Sequence, residues 1–130
     1  MSKLIICLND ENMSRALSIN LRQNKIESII VDTKAEVIEL IKTQDISIVI
    51  LGIYIENNPF AVQSGYFNYD GISLAEKLIE YNVKIIFFSS YEQSEIYTLA
   101  KSRLPMDRII CLNYDHEFIK RIKSVLNDLT

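Results

Sequence analysis

The chain is poor in the residues on which several chemistries depend. Its 130 residues include three glycines, one histidine, two cysteines and no tryptophan. The glycines form no Gly-rich phosphate loop of the P-loop or dinucleotide type, so nucleotide binding has no signal. The single histidine, His116, opens the last expected helix as a solvated face residue. No histidine therefore stands at a strand end to activate Ser89 as a nucleophile, and enzymatic activity is not expected. Cys7 and Cys111 lie far apart, each inside an apolar run, and read as buried thiols acting as small hydrophobes rather than as a disulfide. There is no N-terminal apolar h-region with a cleavage site, and no apolar run approaches the roughly 20 residues that span a bilayer. The expected location is the cytoplasm, with no membrane role. A net charge of −3 imposes no nucleic-acid footprint on the surface.

What is present is organised around Ser47-Ile-Val-Ile-Leu-Gly-Ile-Tyr-Ile55, nearly all apolar and β-branched, with no charge before Glu56. Such a run fits a strand buried on both faces at the centre of a parallel sheet. Gly52 alone interrupts it, and a glycine contributes no side chain to a strand. Around it, Lys3–Leu8 predicts strand β1, Lys25–Val31 β2, Ile46–Ile55 β3, Lys84–Phe88 β4 and Arg108–Leu112 β5. Between them lie amphipathic stripes. Met13, Ala16, Leu17, Ile19 or Asn20, and Leu21 recur at helical spacing. Thr33-Lys-Ala-Glu36 fits a capping box ahead of Val37, Ile38, Leu40 and Ile41. Asp70-Gly71 opens a third stripe with Ile72, Ala75, Leu78 and Ile79, and Ser90-Tyr-Glu-Gln93 a fourth that runs through Lys101. Asp115 can cap a fifth carrying Phe118, Ile119, Ile122, Val125, Leu126 and Leu129. Residues 1–130 thus read as one α/β domain, a doubly wound five-stranded parallel sheet of order 2-1-3-4-5 with five helices. Its active crevice belongs at the carboxyl ends of the strands. One connection is long for a βα loop: Glu56–Tyr69 carries Phe60, Tyr66, Phe67 and Tyr69.

Four segments resemble the receiver domain of bacterial two-component response regulators: Leu4-Ile-Ile-Cys-Leu-Asn-Asp-Glu11, Ile48-Val-Ile-Leu-Gly-Ile53, Asp70-Gly-Ile-Ser-Leu-Ala-Glu-Lys-Leu78 and Ile85-Ile-Phe-Phe-Ser-Ser90. The resemblance covers the whole chain and implies a CheY-like fold in two-component signalling. It puts Asn9 and Asp10 at the family's Mg²⁺-holding acidic pair, Gly52 at the phosphoacceptor, Tyr54 at a metal-binding carbonyl, Ser89 at the hydroxyl after β4 and Asn113 at the lysine after β5. Ile110 stands at the aromatic switch position. Mg²⁺ wants octahedral oxygen ligands, usually with more than one carboxylate, so Asp10 is a weak candidate ligand and no cofactor is expected. Phosphoryl transfer rests on positioning and charge neutralisation, which these replacements remove. The implied function is that of a pseudo-receiver, a phosphorylation-independent protein-binding module in a signalling pathway.

Other readings stay open. Asp10 or Glu56 could act as a displaced acceptor in a phospho-switch, although a loop-end carboxylate such as Asp10 more simply caps nearby N–H groups. The chain could also be an oligomerisation module from a longer transcriptional regulator. Flavodoxin shares the topology, but the acidic loop Asn9-Asp-Glu-Asn12 is wrong for a flavin phosphate. The aromatic residues after Glu56 either fold over the vacated pocket or form a partner contact, since aromatics are enriched at hot spots. The family's dimer face, on the fourth helix, fifth strand and fifth helix, would here include Ile96, Tyr97, Lys101, Arg103, Asp107, Arg108, Glu117 and Arg121, with Tyr97 and Arg108 as candidate partner-binding residues.

Overall fold

The computed structural model describes residues 3–8, 10–52, 55–56, 70–89, 98, 101–105, 107–113 and 117–128. Five parallel strands form one sheet: β1 (Lys3–Cys7), β2 (Ser28–Ile30), β3 (Ile46–Leu51), β4 (Lys84–Ser89) and β5 (Ile109–Asn113), in the order β2-β1-β3-β4-β5. The helices are α1 (Glu11–Gln23), α2 (Lys34–Thr43), α3 (Asp70–Leu78), α4, whose described helical residues are 98 and 101–103, and α5 (Phe118–Asp128). This is the doubly wound topology that the alternation of strand and helix patterns predicts.

Strand side chains alternate between two apolar layers, as the two-residue period of a strand requires. Leu4, Ile6, Ile48, Ile50, Ile86 and Phe88 pack with Leu17 and Leu21 of α1 and with Phe118 and Ile122 of α5. Ile5, Cys7, Val49, Leu51, Ile85 and Phe87 pack on the other face with Val37 of α2 and with Ile72, Ala75 and Leu78 of α3. Phe88 meets Phe118 edge to face at 5.1 Å, an arrangement worth about 1 kcal/mol beyond the area buried.

The bounds of β1, β4 and β5 lie within one residue of those expected, and three larger differences from the sequence pattern each have a local reason. β3 ends at Leu51 rather than Ile55, because its ladder with β1 ends where Cys7 pairs Leu51 and β1 gives way to the turn into α1. Gly52 adds one last bond, donating its N–H to the Cys7 carbonyl at 3.0 Å. On α1, Ala16 and Ile19 face solvent while Ser14 is buried beside Leu17 and Leu21, so the inward stripe is rotated from the expected one. Finally, β2 is three residues long because Lys25 and Ile26 close α1 instead. The Lys25 N–H donates to Arg22 O and the Ile26 N–H to Leu21 O, both at 2.9 Å, which is a Schellman turn. Lys25 occupies its left-handed position at φ 62°, the position glycine normally fills.

That lysine sits in a conformation costing a side-chain-bearing residue about 1 kcal/mol. Lys25→Gly is therefore expected to stabilise the fold by about 0.5–1 kcal/mol, read as a raised urea midpoint at unchanged slope. A lowered midpoint would show that the lysine side chain outweighs the backbone strain.

Candidate functional site

The carboxyl edge of the sheet gathers the described members of the expected pocket. Gly52 is buried directly after β3. Ser89 and Asn113 end β4 and β5 as register partners, one residue inside the strands rather than beyond them. Asp10 ends the turn after β1 and is the N-cap of α1, its Oδ1 accepting the Met13 N–H at 3.0 Å. The capping role expected of a loop-end carboxylate is what Asp10 performs. Asn9, Tyr54, Phe60, Tyr66, Phe67, Tyr69 and Tyr97 lie outside the described residues.

The carboxylate that organises this edge is Asp70, which sequence patterning marked only as a helix start. It is 4% exposed at the first position of α3. Its two oxygens accept the backbone N–H groups of Ile55 and Glu56, each at 2.8 Å. Lys34, from the first turn of α2, brings Nζ to 3.5 Å from both Asp70 Oδ2 and Glu56 Oε2. The Lys34 N–H also donates to Glu56 Oε1 at 3.1 Å. Asp70 thus ties the exit of β3 to α3, and Lys34 with Glu56 ties both to α2. The signal in the sequence was an acidic residue opening a helix after a long loop, but its partners are 14 and 15 residues away.

Negative charge collects here. Burial first, then Asp32, Glu56, Glu36 and Asp70, push the Cys7 thiol from 9.0 up to about 12. Cys7 is a buried thiol, as expected, and its thiolate is suppressed at neutral pH.

The described residues do not fit Mg²⁺. Among the described residues, no three of His, Cys, Asp and Glu converge to hold a metal ion. Asp10 caps α1, Glu11 pairs outward with Arg15, Glu56 is engaged by Lys34, and Gly52 has no side chain.

Arg108, a candidate partner-binding residue, has its guanidinium engaged within the chain. Its guanidinium donates to the carbonyls of Ile79, Tyr81 and Val83, closing the α3–β4 connection onto the start of β5. Other charges expected on that dimer face are engaged within the chain as well. Arg103 pairs with Glu76, and Arg121 with Glu117 one turn earlier.

The fold is that of response-regulator receiver domains. A response regulator from Thermotoga maritima is 12% identical with a TM-score of 0.74, covering 98% of each chain. A receiver protein from Burkholderia phymatum is 17% identical with a TM-score of 0.71, covering 99% of this chain and 95% of its own. A de novo designed Rossmann 2x3 protein also superposes, at 16% identity, a TM-score of 0.65 and coverage of 98% and 91%. Likeness to a designed protein makes plain that what is shared is architecture. The sequence matches no family model and no curated protein. Among the described residues, no helix is long and apolar enough to cross a membrane.

Two measurements test this site. Asp70→Ala leaves two N–H groups without their acceptor and Lys34 with Glu56 as its remaining carboxylate, and is expected to cost about 2–4 kcal/mol in urea unfolding, with Asp70→Asn intermediate. Wild-type stability from the alanine variant would remove Asp70 from its central place. The second concerns Cys7, whose proton the fold retains when the unfolded chain begins to release it near pH 9.0. Its contribution is complete below that pH and is lost as pH rises towards about 12. Urea midpoints measured from about pH 8 to 10.5 should fall more steeply for the wild type than for Cys7→Ala. Parallel slopes would contradict the raised pKa.

Proposed function

We propose that this domain is a pseudo-receiver, a non-enzymatic, cytoplasmic protein-interaction module whose activity does not depend on phosphorylation. The observation that carries this reading is Gly52, which stands directly after the central strand at the carboxyl edge and has no side chain to accept a phosphoryl group. It is supported by its neighbours. Asp10 spends an oxygen on its own helix, and the position ending β5 is the neutral Asn113. A receiver that switches must hold a metal, a nucleophile and a cation in register with developing charge. Here the Ile55 and Glu56 N–H groups donate to Asp70, and Lys34 pairs with two carboxylates. They hold one arrangement rather than prepare a reaction.

The partner is a protein of a signalling pathway, contacted through the segment that leaves the Asp70 clamp, with Phe60, Tyr66, Phe67 and Tyr69 as anchors. Aromatic side chains give large contact area at low entropy cost, which suits them to that task.

Acetyl phosphate with Mg²⁺ should leave the intact mass unchanged, and beryllofluoride with Mg²⁺ should leave the melting temperature unchanged. A hydroxylamine-labile adduct mapped to Asp10 or Glu56 would replace this reading with a displaced phospho-switch. In affinity capture, replacing the four aromatics with serine should release the bound partner while the melt stays cooperative. Undiminished capture would move the contact elsewhere.

A further inference from the structure

A second surface lies away from the carboxyl edge. β2 is an outer strand of the sheet. In parallel pairing, alternate residues turn their N–H and C=O to the same neighbour. The Glu27 carbonyl accepts from Leu4 N and the Val31 N–H donates to Ile6 O, so both point to β1. Ser28 and Ile30 therefore turn their N–H and C=O groups outward. Such an edge is a template for another strand unless charge, proline, a bulge or covering chain blocks it.

Beside this edge, Ser18, Arg22, Lys25, Ile26, Glu27 and Ser28 line a groove of about 340 Å³. Ser18 and Ser28 share a hydroxyl hydrogen bond at 2.9 Å that fixes α1 against the strand. Two large apolar side chains stand out to solvent on the elements bordering the groove, Ile19 on α1 at 53% exposed and Ile30 on β2 at 38%. Arg22 and Lys25 are exposed, and neither has an ion pair among the described residues. Among the described lining residues the one carboxylate, Glu27, lies 4.0 Å from Lys3. Lys25 also keeps its place at φ 62°, where glycine would relieve strain. A strained residue held at a surface points to a use for its side chain.

We propose that the β2 edge and this groove bind an extended, acidic segment of a partner protein, which joins the sheet as a sixth strand. Main-chain bonds to Ser28 and Ile30 supply the pairing, and Arg22 and Lys25 select carboxylates along the segment. A free anion would use the cations but leave the edge unpaired.

The experiment titrates the isotopically labelled full chain with an amidated peptide of alternating Glu and Val, and with the same peptide carrying Lys for Glu. The acidic peptide should saturably shift the amide signals of Ser28 and Ile30, and the basic one should not. The double variant Arg22→Glu, Lys25→Glu should weaken binding about tenfold or more. Ile30→Pro removes an outward N–H at an edge position that tolerates proline and should abolish binding. Should that variant unfold, the exposed charge variants decide alone. The proposal is overturned by equal binding of the two peptides, by undiminished binding to the charge variant or to a folded Ile30→Pro, or by no shift up to about 1 mM peptide.

Discussion

The rest of this fold depends on the burial of β3 on both of its faces. Ile48, Val49, Ile50 and Leu51 are all completely removed from solvent. A strand with no wet face needs cover above and below, and it needs parallel neighbours whose crossovers supply that cover. α1 and α5 close one side, α2 and α3 the other. With the strand interiors apolar apart from Ser47 of β3, polar function is pushed to the strand ends and the sheet's outer edge. At about 25 cal/mol per Å² of apolar surface, this double burial dwarfs any single polar contact in the domain. The architecture is therefore set by the strands themselves, whatever polar groups stand at their ends.

The polar end of the sheet follows from the same constraint. A strand buried on both faces must leave the sheet through a region of low dielectric, where an unpaired backbone N–H is costly. Asp70 meets that cost for Ile55 and Glu56, and Lys34 balances the carboxylate that does so. Asp70, Lys34 and Glu56 are thus committed to holding the exit of β3. A carboxylate satisfied by two N–H groups and a lysine makes a poor nucleophile, because its lone pairs and its charge are already in use.

Most of the architecture was legible in the sequence because it is written in periodicity: two for the strands, three and four for the helices. Thr33 caps α2 as expected, its Oγ1 accepting the Glu36 N–H at 3.2 Å, while the Glu36 carboxylate accepts the Thr33 hydroxyl instead of the backbone N–H that a full capping box would use. What escaped depends on contacts between distant segments. Asp70 reads as a helix start until the loop brings residues 55 and 56 back to it. Arg108 reads as a free surface cation until the turn after α3, 25 to 29 residues away, presents three carbonyls to it. Lys25 reads as the start of β2 because nothing local shows that a lysine will hold the left-handed position closing α1. Ile19 counted as part of an apolar stripe because spacing alone does not fix which side of a helix meets the sheet.

These escapes share a physical cause, and it bears on how the domain can work. Periodic burial is determined by each segment alone, so it specifies a scaffold whatever the ends of the strands carry. Chemistry at the carboxyl edge needs several polar groups held in register by different segments, and here Asp70, Lys34 and Glu56 are occupied in closing the fold. Recognition by a loop or by an open strand asks less. It requires only that a rigid framework present groups which the core does not need, such as the outward amides of Ser28 and Ile30. A scaffold held together by its apolar layers can therefore bind through surfaces that the core does not need.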